Sequence, residues 1–168
     1  YPENRGDWLK NTSMKAEIIR DLLLKIKQPI VFLDADATIE QYPTVLENLP
    51  YTDCDVALHY LDHNFFWKGR PNTGVLEALS GTLYLAYNAR VIEFLDEWIT
   101  ENTASERQLE QKNMQITLDK MKDRLNIVNL PIEYVAIIKG DNKVPGFIPN
   151  PVIIHHQVSR RLRKWRKI

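Results

Sequence analysis

Asp34 and Asp36 stand two residues apart at the end of an apolar run, Ile30-Val31-Phe32-Leu33. In an extended chain, residues i and i+2 share a face, about 6.5–7 Å apart. Where the strand ends and the chain turns, both carboxylates can approach one cation. An oxygen-only pair suits Mg²⁺ or Mn²⁺, and such an ion can bridge a bound diphosphate. Solvated loop acids after an apolar strand have the same pattern, so D-x-D alone leaves both readings open. His155 and His156 close a second apolar run, Val152-Ile153-Ile154. Adjacent strand residues face opposite sides, so at most one histidine reaches a given site. A neutral imidazole beside two carboxylates favours Mn²⁺ over Mg²⁺. A lone strand histidine is otherwise a packed or surface residue.

Three weaker patterns accompany these. Residues 159–168 (SRRLRKWRKI) hold six basic residues and no acid, and they follow directly on the histidine strand. Guanidinium groups bind phosphate bidentately and lysine supplies a point charge. A terminal charge run is also the ordinary composition of a solvated tail. Ser80-Gly81 precedes a strand, and a glycine there lets a ligand approach the backbone. Glu110-Gln111 lies in a helical pattern, where two polar residues read by themselves as a solvated face.

The elements that must position these residues are legible as an α/β alternation. Ile18, Ile19, Leu22, Leu23 and Ile26 recur at helical spacing and predict an amphipathic helix over 13–27, ended by Gln28-Pro29. Ser13 or Thr12 is the expected cap. Residues 30–33 read as a buried, central strand. In α/β sheets ligands bind beyond the carboxyl ends of strands, which is where the two aspartates fall. Further strands are expected at 56–60, 81–87, 127–130, 134–138 and 152–156, and helices at 91–100 and 105–123. Residues 61–74 read as a long loop rich in aromatic and basic residues.

Composition sets the outer bounds. The chain has 168 residues, 44% hydrophobic and 26% charged, the range of one globular unit. No apolar run approaches the roughly 18 residues of a membrane helix. The single cysteine, Cys54, excludes an internal disulfide framework and fits a reducing, cytoplasmic setting. Lys plus Arg and Asp plus Glu are 22 each; with six basic residues in 159–168, the other 158 residues carry 16 against 22, a net of −6. That distribution argues for a local anionic contact and against a nucleic-acid-coating protein. The expected organisation is a domain over 1–158 and a basic tail over 159–168.

Taken in order, several short motifs resemble the nucleotide-diphospho-sugar transferases, glycosyltransferases of the GT-A type. They are Gly6-Asp7-Trp8, Asn11-Thr12, Lys15-Ala16, Val31-Phe32-Leu33-Asp34-Ala35-Asp36-Ala37, Ser80-Gly81-Thr82-Leu83, Trp98, Glu110-Gln111, Leu130-Pro131-Ile132-Glu133-Tyr134 and Pro151-Val152-Ile153-Ile154-His155-His156. The resemblance implies a Rossmann-like, mixed but mainly parallel sheet flanked by helices. It implies sugar transfer from a nucleotide-diphosphate donor, a UDP-sugar, to a carbohydrate or other acceptor hydroxyl. Asp34, Asp36 and His155 would hold Mn²⁺ or Mg²⁺ on the diphosphate. Lys15 and the tail residues Arg160, Arg161 and Lys164 would touch phosphates. Ser80 and Gly81 would line the donor-sugar pocket, with Glu110 and Gln111 on the side facing the transferred sugar. Two departures stand out. Glu110 replaces the family's usual aspartate, and the strand–helix units that bind the base are expected upstream of Tyr1.

Two other readings compete. Phe32-Leu33-Asp34-Ala35-Asp36-Ala37-Thr38 fits the first motif of haloacid-dehalogenase-like phosphatases, with Asp34 as nucleophile, Asp36 as acid/base and Mg²⁺ as cofactor. Ser80 would be its second motif, but Gly140-Asp141-Asn142-Lys143 lacks the second acid of the last one. A catalytically inactive, transferase-like binding domain is the non-enzymatic alternative.

Overall fold

The computed structural model describes residues 4–62, 76–105, 107–138 and 144–158. Helix α1 spans Trp8–Ile26. It starts five residues earlier than periodicity predicts because Asp7, rather than Ser13, is the cap, its side chain accepting from Lys10 N at 2.9 Å. Lys27 ends it in the left-handed region, φ 56°, with its N–H on Leu23 O. The buried side of α1 carries Ile19 and Leu23, but also Lys15.

Strands β1 (Ile30–Leu33), β2 (Ala37–Ile39), β3 (Val56–Leu58), β4 (Tyr60–Asp62), β5 (Leu76–Ala78), β6 (Thr82–Leu85), β7 (Ile127–Asn129), β8 (Ala136–Ile137) and β9 (Ile153–His155) form three sheets. The largest has the order β1-β6-β3-β7. Its β3–β7 ladder is parallel, and β6 is antiparallel to both β1 and β3. Three of the four strands therefore point one way, with β6 reversed between them, which makes the sheet mixed as expected. β2-β9-β8 form a second sheet and β4-β5 a ribbon.

Among the described residues β1 is an edge strand, not the central one its apolar sequence suggests, and Val31 is 43% exposed. The reason is that three of its four apolar residues serve two different cores, and the fourth, Val31, serves neither. Ile30 and Phe32 pack toward α1 and the other helices, whereas Leu33 packs on the opposite side. An apolar run reports coverage of faces and says nothing about strand neighbours.

Helices α3 (Ala89–Ala104) and α4 (Glu110–Met121) pack with α1 over the large sheet. Phe94, Trp98, Met114 and Leu118 fill this layer. On the other face, α2 (Thr44–Asn48), Tyr84, Leu130, Tyr134 and Ile153 enclose a second core. The stretch read as a strand over 134–138 is a 3₁₀ turn, Ile132–Val135, before the two-residue β8. Pro131 precedes that turn, and Tyr134 N bonds back to its carbonyl. Of the expected loop at 61–74, residues 61 and 62 belong to β4; the rest, with its aromatics, lies outside the described residues. No described helix is long and apolar enough to cross a membrane.

Candidate active site

The site forms at the carboxyl end of β1. Asp34 N donates to Gly81 O at 2.8 Å, extending the β1–β6 pairing by one rung. The chain then turns, with Ala37 N on Asp34 O at 2.9 Å, and enters β2. β2 pairs with β9 so that Ala37 faces His155 across the ladder, and His156 N donates to Asp36 O. This register delivers His155 to the two aspartates. One ligand atom each from Asp34, Asp36 and His155 lies within 4.8 Å of the others.

The donor set fits a divalent cation on two observations. Two carboxylates with one imidazole are donors that a divalent cation accepts together. The floor of the cluster is Gly81, where a Cβ would come within 2.9 Å of His155 Cε1, 3.1 Å of its Nδ1 and 3.2 Å of Asp34 Oδ2. Any larger residue would fill the cradle. Burial lowers the His155 pKa, with Asp34 and Asp36 pulling the other way, which favours the neutral imidazole a metal requires. His155 Nε2 lies 2.8 Å from Thr82 Oγ1, whose hydroxyl in turn donates to Tyr134 O at 3.0 Å. His156 points away and meets the Thr38 hydroxyl at 3.0 Å, so only one of the pair serves the cluster.

Lys15 reaches the same cluster from α1. Its Nζ lies 3.0 Å from Asp34 Oδ1, 3.0 Å from Glu110 Oε1 and 3.0 Å from Ser80 Oγ, 5.2 Å above the Phe32 ring. Burial works against the ammonium, but Glu110 and Asp34 outweigh it and hold the lysine pKa up. Glu110 opens α4. Burial raises its pKa against the pull of Lys15. Its Oε1 accepts from Lys15 and from Ser80 Oγ, while its Oε2 is buried with no hydrogen-bond partner among the described residues. Gln111 braces the same corner: its Oε1 accepts from Ser80 N at 3.2 Å and its amide donates to Glu77 at 2.6 Å.

Asp34, Asp36, His155, Lys15, Ser80, Gly81, Glu110 and Gln111 thus converge on one corner of the fold. The chain leaves it at Val158, whose N donates to Asp36 Oδ2 at 2.8 Å. Arg160, Arg161 and Lys164 lie outside the described residues, as does the 140–143 segment. Sequence reasoning missed Thr82 and Glu77. Thr82 stands inside the Ser80-Gly81-Thr82-Leu83 run, which is its signal; Glu77 carries none.

No family model matches the sequence, and no curated protein matches it. Solved structures do resemble the fold. A glycosyltransferase involved in glycosylation of the major capsid of PBCV-1 superposes with a TM-score of 0.66 at 14% identity, over 99% of this chain and 79% of that one. The glycosyltransferase GlyE of Streptococcus pneumoniae TIGR4 gives 0.54 at 19% identity, over 82% of this chain and 35% of that one. Mouse xyloside xylosyltransferase 1 gives 0.52 at 12%, over 88% and 63%. The chain thus spans less than two thirds of the latter two. At such identities the likeness speaks to architecture, and the architecture of this chain is the GT-A-like α/β fold of those glycosyltransferases.

Proposed function

We propose that the chain carries the metal and donor-sugar site of a glycosyltransferase that moves a sugar from a nucleotide diphosphate, with UDP-sugars as the first candidates, to an acceptor hydroxyl. The observation that carries this reading is the Asp34–Asp36–His155 cluster over Gly81, at the sheet edge of a glycosyltransferase-like fold. A divalent ion held there would neutralise the diphosphate and make it a competent leaving group. The chain's own residues divide the remaining work. Asp34 and Asp36 bring the negative charge that attracts the ion. Lys15 lies within 3.0 Å of Asp34 Oδ1, which leaves the other oxygen on the cradle side. Glu110 offers a buried oxygen, without a hydrogen-bond partner among the described residues, suited to a sugar hydroxyl. Gln111 and Ser80 hold that wall in place. Arg160, Arg161 and Lys164 are assigned to the diphosphate by the resemblance alone.

The phosphatase reading leaves His155 without a role, whereas the solved structures named above are glycosyltransferases. The test is calorimetric binding of UDP with and without Mn²⁺. Metal-dependent binding that disappears in Asp36→Ala supports the transfer site and directs a screen of sugar donors. Metal-independent binding, or binding unchanged in Asp36→Ala, overturns it.

A further inference from the structure

His155 has two ring nitrogens, and only one with a free lone pair can take a metal. Its Nε2 is 2.8 Å from Thr82 Oγ1. The Thr82 hydroxyl has one proton, and that proton goes to the backbone carbonyl of Tyr134, 3.0 Å away. A carbonyl accepts only. The hydroxyl must therefore accept from His155, which puts the imidazole proton on Nε2 and the lone pair on Nδ1. Nδ1 is the nitrogen over the cradle, close to where a Cβ on Gly81 would also meet Asp34 Oδ2. Among the described residues Nδ1 has no hydrogen-bond partner. The opposite tautomer would turn the Thr82 proton toward Nε2 and take this bond from Tyr134 O. Thr82 is fully buried and Tyr134 nearly so, which leaves little room for water to replace it.

We propose that Thr82 is a positioning residue for the metal site. Through the chain His155 Nε2–H to Thr82 Oγ1 to Tyr134 O, it fixes the tautomer and ring angle that present Nδ1 to a divalent cation beside Asp34 and Asp36. This rests on the metal reading above and names the group that makes the histidine a ligand. Thr82 opens β6, between β1 and β3, so its hydroxyl is carried by the middle of the sheet.

The test uses Mn²⁺ alone, titrated into the full chain and followed by calorimetry and water-proton relaxation. Thr82→Val keeps the shape and removes both hydrogen bonds; its Mn²⁺ affinity should fall about 10–100-fold. Thr82→Ser keeps the hydroxyl and should stay near the wild type. Wild-type affinity in Thr82→Val overturns the proposal alone. Equal weakening in Thr82→Ser also overturns it, because the loss then traces to packing. A wild type that takes no Mn²⁺ overturns the metal reading and the proposal with it. Long-range ¹H–¹⁵N spectra of the metal-free wild type should show His155 protonated at Nε2. Protonation at Nδ1 overturns the proposal without needing any variant to fold.

Discussion

Lys15 is a buried cation between two carboxylates, and it shows how much of this site is electrostatic bookkeeping done by packing. Its side chain is 9% exposed, as is that of Glu110. Resemblance assigned Lys15 to phosphates; its neighbours in the fold are Asp34, Glu110 and Ser80. Removing the ammonium by Lys15→Met leaves the buried Glu110 carboxyl without its cationic partner. Breaking a buried pair from one side costs about 3–5 kcal/mol. The sign of the pH dependence follows. Glu110 is already raised by burial, and losing Lys15 raises it further. A raised carboxyl contributes stability below its ordinary value, and that contribution is lost as pH rises through the folded value. Urea unfolding should therefore show Lys15→Met falling further behind the wild type from acid toward neutral pH. Adding Glu110→Gln should remove that slope. A deficit independent of pH would show that the lysine acts through packing of its methylenes instead.

At the level of elements, Asp55 does for the opposite end of the sheet what Asp34 does for the site. It precedes β3 and is 1% exposed. Its carboxylate accepts from Arg90 at 2.8 and 2.9 Å, from Asn88 at 2.7 Å and from Asn126 N at 2.9 Å. Asn88 caps α3 and Asn126 leads into β7, so one carboxylate ties three elements. Burial pushes its pKa up, but these donors outweigh that and hold it below the ordinary 3.8. A depressed carboxyl contributes stability above its ordinary value, lost as pH falls through the folded value. Asp55→Ala, which strands those donors, should cost about 2–4 kcal/mol at neutral pH. Its deficit should shrink near pH 3, as read from urea midpoints. This pin was not legible in the sequence, where nothing marks Asp55 before its partners are placed. The helices were legible, because α1, α3 and α4 each show an apolar face at 3.6-residue spacing. Their neighbours were not. Periodicity says which face is covered and not by what, so β1 was placed at the centre of the sheet and nothing joined Lys15 to Glu110. Short elements fared worst: β2 is three residues long, and only its register with β9 makes it a strand.

For the whole molecule, the cluster joins parts of the chain that are far apart in sequence. Asp34 and Asp36 both lie in the turn from β1 to β2, and His155 ends β9. D-x-D could be read locally; its meeting with His155 depended on a second sheet, β2-β9-β8, that packs across the first through Leu33, Tyr84, Tyr134 and Ile153. An unfolded chain holds these ligands at random distances and binds a metal weakly. Mn²⁺ should therefore stabilise the folded state by mass action, by about 2.7 kcal/mol at 100 times the dissociation constant. For a chain of this size, that corresponds to a rise in Tm of roughly 5–10 °C. Asp36→Ala removes one ligand, and Gly81→Ala puts a Cβ within 2.9 Å of the His155 ring. Both should abolish the Mn²⁺-dependent rise, whatever they do to the metal-free Tm. Thermal unfolding followed by circular dichroism, with Mn²⁺ against a chelator, reads the difference directly. A wild-type rise that persists undiminished in both variants would place the ion elsewhere and detach the second sheet from any role in holding it.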